Sequence, residues 1–340
     1  MNETSHGAGM RRRPGARTRR GLGALLLVVA AGMLGCGGGE SGSETKTGTD
    51  DTGAKTSSTS TEKSGPIRIG VTLLTVQHAF YQELRSGLQE AAAPLGYELF
   101  ITTGEFDPAR QANQIDEFIV QRVDAIVVCP CDSRSVGASI VAANDAKIPV
   151  FTADIASTSG LGTVVSHIAS DNRAGGRQAA ELMARALSEK GQVAILTHPT
   201  VASVTDRVAG FKERLADFPG IEIVAELSAE GKRDKAVSVM EDLLQSHPQI
   251  DGVFGINDDS ALGALAAIEA AGKVGRIKIV GYDATPEARE RIADGAIFGD
   301  VIQSPKKIGE LTIQAIQTLL DGGTPPAVIP VEVGVFTAES

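Results

Sequence analysis

From residue 66 onward, short apolar runs alternate with longer amphipathic stretches almost without a break. IRIGVTLL, YELFIT, DAIVVC, IPVFTA, QVAILT, IEIVAEL, GVFGI, IKIVGY and AIFGDVI are runs of five to eight residues rich in Ile and Val. Continuous apolarity of that length marks strands buried on both faces. Between most of them lie stretches such as FYQELRSGLQEAAAPL, ARQANQIDEFIVQR and DKAVSVMEDLLQSH, whose apolar positions recur at helical spacing. Strands alternating with helices imply βαβ units and a parallel sheet covered on both sides. Nine such strands and a final PVEVGVF exceed one open sheet of ordinary size. The pattern therefore predicts α/β architecture in two doubly wound, parallel-sheet lobes of about four to six strands each.

The N-terminal residues follow a different pattern. MRRRPGARTRRGLGALLLVVAAGMLGC places a basic segment before an apolar stretch, residues 22–34, that is too short to span a bilayer. Residues 1–35 are expected to be an export signal. Leu34-Gly35-Cys36 resembles a bacterial lipoprotein box, which makes Cys36 the expected lipidation site and tethers the protein to a membrane by its N-terminal lipid. Residues 37–65 carry almost no apolar side chain, cannot offset their ordering entropy, and are expected to form a flexible tether reaching roughly 30 Å.

Composition narrows the function. Aromatic residues make up 4% and Trp is absent, so the core must be aliphatic. The formal charge is −10 although the first 35 residues hold six Arg against one Glu, so the remainder is more acidic still. Such a body is a poor partner for nucleic acid or for an anionic membrane surface. In doubly wound sheets ligands bind at the carboxyl ends of strands. There the chain places Thr75 to Tyr81, Pro130 to Ser133, Asp154, a loop running to Asp206-Arg207, Asn257-Asp258-Asp259, Asp283 and Gln303-Ser304. The set has no P-loop and no glycine-rich dinucleotide turn, and no cofactor is expected. Forked acceptors and donors beside aromatic faces suit a sugar, whose adjacent hydroxyls donate and accept together over an apolar ring face. Helix capping alone needs one of the residues 257–259, not three. The surplus over capping has to serve another purpose.

VVSHIASDNRAGG (164–176), FGINDDSALGALAAIEAAGK (254–273) and IVGYDATPE (279–287), in that order and spacing, resemble the periplasmic sugar-binding proteins of the ribose/galactose type. The resemblance covers roughly the chain from 66 to its end. It implies two lobes joined by three crossings, near Ser170-Asp171, Gln303-Ser304 and Glu332-Val333. Residues 66–170 plus 304–331 would form one lobe and 171–303 plus 332–340 the other. It implies a monomer that hands a sugar or polyol to an ABC permease. The same closure could instead present the ligand to a receptor kinase, and the sequence leaves import and sensing open. The resemblance carries ring stacking to Phe80 and Tyr81, and hydroxyl contacts to Asp154, Arg207, Asn257, Asp283 and Gln303; Asn257 would then point at the ligand, with one of Asp258 and Asp259 capping and the other in water. His78 and Cys129 stand where ribose-type receptors have Asn, Ile155 where they have Arg, and the position near Gly231 lacks the usual aromatic. Those departures argue against ribose itself and admit another pentose or hexose, a polyol, or a more apolar sugar derivative.

Cys129 and Cys131 flank Pro130, where an i,i+2 disulfide would be strained. Free thiols, a strained disulfide and a metal site remain open from sequence, although His78 alone is a poor complement for a metal and none is expected. His167 is read as supporting the crossover, and His198 as a loop residue. An acid/base set of Asp154, Asp283 and His78 would suit glycoside hydrolysis, but no nucleophile–base motif accompanies it, and the chain is read as a binding protein rather than an enzyme.

Overall fold

The computed structural model describes residues 65–340; the signal, Cys36 and tether expectations lie outside the described residues. Twelve strands and nine α-helices alternate within the described part. The first sheet contains β1 (Arg68–Leu73), β2 (Glu98–Thr103), β3 (Ala125–Val128), β4 (Val150–Ala153), β5 (Val164–Ser170) and β11 (Val328–Val331). They run in the order β11-β5-β4-β3-β1-β2 and every pair is parallel. The second contains β6 (Gly191–Thr197), β7 (Ile221–Ser228), β8 (Gly252–Gly255), β9 (Lys278–Asp283), β10 (Gly299–Ile302) and β12 (Gly334–Thr337). Its order is β12-β10-β9-β8-β6-β7, parallel except for the antiparallel edge pair β10–β12.

The chain changes sheet three times: after β5, between β10 and helix α9 (Pro305–Leu320), and between β11 and β12. Two features escaped the hydrophobic pattern. β5 was hidden because Ser166 and His167 interrupt its apolar run; His167 is instead satisfied by the Thr152 hydroxyl on β4, at 2.9 Å. PVEVGVF reads as one strand, yet Glu332 and Val333 divide it between two sheets.

Three local features aim the sheets at one region. Helix α7 (Asp258–Ala270) begins at Asn257, whose Oδ1 accepts from the Ser260 backbone N–H at 3.0 Å. Helix α4 (Asn172–Leu187) is capped by Asp171, which accepts from Ala174 N at 2.9 Å. Helices α4 and α5 (Ala202–Leu215) approach through two glycines. A Cβ on Gly176 would collide with the Arg207 carbonyl, and one on Gly210 with that of Arg173. The close approach sets Arg207 against Asn172 at the head of α4.

Candidate functional site

Loops at the carboxyl ends of strands from both sheets line one cavity. The strand ends β1, β2 and β4 contribute His78, Phe80, Tyr81, Phe106 and Asp154. The second sheet contributes His198, Arg207, Gly231, Asn257, Asp283 and Gln303 through β6, β7, β8, β9 and β10. Several of these loops hold non-glycine backbones in the left-handed region: Phe106 at φ 63°, Asp154 at φ 64° and Asp283 at φ 120°. Such conformations cost of order 1–3 kcal/mol each and persist where the surroundings impose them.

Arg207 is the buried cation of the site. Its Nε donates to Asn172 Oδ1 and its Nη1 to the Ile256 carbonyl, both at 2.8 Å, while the guanidinium lies 3.9 Å from the centre of the Tyr282 ring. Burial alone would lower its pKa, but Tyr282, Asp283 and Asp154 outweigh that and hold it above its ordinary value. Asp154 accepts from the Tyr81 hydroxyl through Oδ2 at 2.7 Å; its Oδ1 is buried without a hydrogen-bond partner. Burial raises the Asp154 pKa against the opposing pull of Arg207 and Tyr81. Asp283 accepts from Gln303 Nε2 at 2.6 Å through Oδ1, which leaves Gln303 Oε1 buried and unpartnered. Burial pushes the Asp283 carboxyl well up, partly countered by Arg207.

The structure therefore brings eight of the nine expected contact residues to one cavity: His78, Phe80, Tyr81, Asp154, Arg207, Asn257, Asp283 and Gln303. Cys129 is a correction. It directly follows β3 and lies fully buried in the core, outside the cavity lining. Gln111 holds its turn in place, donating to the Cys129 carbonyl at 3.0 Å and accepting from Cys131 N at 2.8 Å. Both thiols are free, and burial pushes them up, Cys131 to about 12. Tyr81 anchors Asp154 as well as lining the cavity. Phe80 meets Tyr81 edge-on, with ring centroids 5.1 Å apart.

The Asn-Asp-Asp run also differs from expectation. Asn257 both caps α7 and lines the cavity, its Nδ2 donating to the Gly231 carbonyl at 3.1 Å. Asp258 is buried and accepts from Thr285 N at 2.7 Å. Asp259 lies 3.5 Å from His78 Nε2 and 3.0 Å from Arg233 Nε. Both carboxylates have protein partners, Asp259 while still partly exposed.

Sequence reasoning missed Phe106 and His198. Phe106 follows β2, and its ring lies 5.4 Å from His78 and 6.4 Å from His198, with Lys232 Nζ 4.6 Å above it. It supplies an aromatic ring to the cavity whose Gly231 edge has none. His198 packs beside that edge, so burial lowers its pKa to about 4 and keeps the ring neutral at pH 7. The rule that ligands bind at strand ends covers both, had it been applied to the end of β2 and to every residue after β6.

Contacts also bridge the two sheets' loops away from the cavity centre. Ser133 N donates to the Thr200 carbonyl at 3.0 Å, and Ser133 Oγ accepts from Ala202 N at 2.9 Å.

A two-lobed α/β body whose strand ends enclose one polar cavity defines a solute receptor. The chain belongs to the periplasmic binding protein family: the model for a periplasmic binding protein domain matches residues 69–324. It is 34% identical over 265 residues to the ribose import binding protein of Salmonella typhimurium, covering 78% of this chain and 88% of that one. It is also 34% identical over 281 residues to the xylitol-binding protein of Mycolicibacterium smegmatis, covering 82% and 75%. Among solved structures it resembles the Caulobacter myo-inositol binding protein bound to myo-inositol, with TM-score 0.76, 27% identity, and coverage of 82% and 97%. These relatives are binding proteins, and the chain is a binding protein rather than an enzyme. Its family is exported and periplasmic.

Proposed function

We propose that the cavity captures an uncharged sugar or polyol and that the protein delivers it to an ABC importer. The observation that carries this reading is the pair of buried, unpartnered acceptors, Asp154 Oδ1 and Gln303 Oε1, facing one cavity with Arg207. A buried acceptor without a donor costs about 1–3 kcal/mol, and a ligand hydroxyl would relieve it. Two carboxyl groups against one guanidinium, itself engaged by neighbours, disfavour an anionic ligand. Phe80 offers a ring face, and Asn257 and His78 add donors at the edges. The names of the relatives, which include ribose, xylitol and myo-inositol binders, support the same class.

In this reading Ser170-Asp171, Gln303-Ser304 and Glu332-Val333 form the hinge between lobes of residues 66–170 plus 304–331 and 171–303 plus 332–340. A ligand touching both lobes favours the closed arrangement by its differential contact, and a permease reads that arrangement. The protein acts as a monomer, held near the membrane by lipid on Cys36. Titration calorimetry against a panel of pentoses, hexoses and polyols tests the reading. Micromolar binding of at least one, about −8 kcal/mol, is expected; binding of none overturns it. Mass spectrometry of the exported protein tests the lipid at Cys36.

A further inference from the structure

The cavity lining is both polar and aliphatic. Asp154, Asp283, Gln303 and Arg207 supply its polar groups, but Ile155, Val201 and Val204 line it as well, at 1%, 2% and 5% exposure. Ile155 follows β4 in one lobe, whereas the two valines open α5 in the other. Ser133 ties their loops together: Thr158 N donates to its carbonyl at 2.7 Å, and its backbone and hydroxyl engage Thr200 and Ala202. The three aliphatic side chains belong to the same buried cluster.

The backbone of this wall has little to offer a ligand hydroxyl. Ile155 N donates to the Ala153 carbonyl at 2.7 Å, Val201 N to the His198 carbonyl at 3.3 Å and Val204 N to the Val201 carbonyl at 3.2 Å. Ser203 lines the cavity too, but it also borders the neighbouring crevice beside Asp154, Ser170 and Asn172, on the polar side. A hydroxyl pressed against Ile155 and the valines would lose water and find no partner. A methyl group there would instead bury apolar surface.

Building on the sugar reading above, we propose that the preferred ligand is a deoxy sugar of the 6-deoxyhexose class. Its hydroxyl-bearing edge meets Asp154, Gln303 and Asp283, and its methyl group lies between Ile155 and the Val201–Val204 turn.

Titration calorimetry of the full chain with matched pairs tests this: L-rhamnose with L-mannose, L-fucose with L-galactose, and 6-deoxy-D-glucose with D-glucose. In at least one pair the deoxy sugar is expected to bind roughly tenfold or more tightly than its 6-hydroxy twin. Val204→Thr places a hydroxyl on the wall at nearly unchanged shape, and Ile155→Thr does so with the loss of one further carbon. They should narrow that ratio several-fold, and two variants guard against one failing to fold. Tighter binding of the hydroxylated twins, of pentoses or of myo-inositol than of every deoxy sugar would overturn the proposal while leaving the sugar reading intact. So would a ratio that neither folded variant moves. Absence of binding by every sugar and polyol would instead remove both.

Discussion

Two buried acidic groups in this protein have unpartnered oxygens, and they have opposite uses. Asp154 presents Oδ1 to the cavity beside Arg207, anchored by the Tyr81 hydroxyl. Asp258 and Asp300 form a second buried pair: Asp300 is fully buried, Asp258 nearly so, and a Cβ on Gly281 would touch both Asp300 Oδ2 and Asp258 Oδ1. Burial and the charges of Asp258 and Asp283 push the Asp300 carboxyl well up, so it favours its protonated form more than an ordinary carboxyl does. An unmet acceptor that opens on a cavity invites a ligand hydroxyl. One that is closed off must be neutralised from within.

Removing the cation should have the largest effect. Arg207→Met leaves Asp154 and Asp283 without their buried counter-charge; it is expected to cost about 3–5 kcal/mol in denaturant unfolding and to abolish sugar binding. If the variant unfolds at the wild-type midpoint, Arg207 does not balance those carboxyls. Asp154→Ala comes next. It removes the open acceptor and should weaken the best ligand on the order of 100-fold by calorimetry, whereas unchanged affinity would take Asp154 out of the site.

The second buried pair should behave differently. Asp300 has a folded-state pKa far above its unfolded value, so the native state retains a proton that the unfolded chain has released. Stability should therefore fall as pH rises from about 4 toward neutrality, by up to ~1.4 kcal/mol per pH unit per proton. Asp300→Asn cannot titrate, so it should flatten that decline and raise stability at pH 7, with ligand affinity changed less than threefold. A slope as steep as wild type would mean Asp300 does not hold the proton. The smallest effect is expected from Ser133→Ala, which deletes a bond between the lobes without touching the ligand. Affinity should drop roughly 3- to 10-fold, by the same factor for every sugar, because only the closed arrangement is weakened. A drop confined to one sugar would show that Ser133 contacts the ligand instead.

The strand pattern was legible because parallel strands buried on both faces must be apolar throughout: nine of the twelve stand out as separate runs, and PVEVGVF covers two more. β5 was not, since Ser166 and His167 are tolerated once a neighbouring strand supplies the Thr152 hydroxyl. Asp154, Arg207, Asn257, Asp283 and Gln303 were legible as polar residues at strand ends. Cys129 was misplaced because position after a strand does not reveal which face a side chain takes. Phe106 falls under the same strand-end rule, but only the left-handed turn at Glu105 and Phe106 after β2 accompanies its place in the cavity lining, and no motif marks that turn.

Taken alone, the order of apolar runs determined the two-sheet α/β architecture and the loops where polar chemistry collects, since those follow from local burial and chain connectivity. Only the folded molecule decided which of those loops share a cavity, which carboxyl oxygens stay unmet, and that aliphatic side chains line the same cavity. Those properties arise where segments far apart in sequence meet, and no window of sequence contains both sides of such a contact.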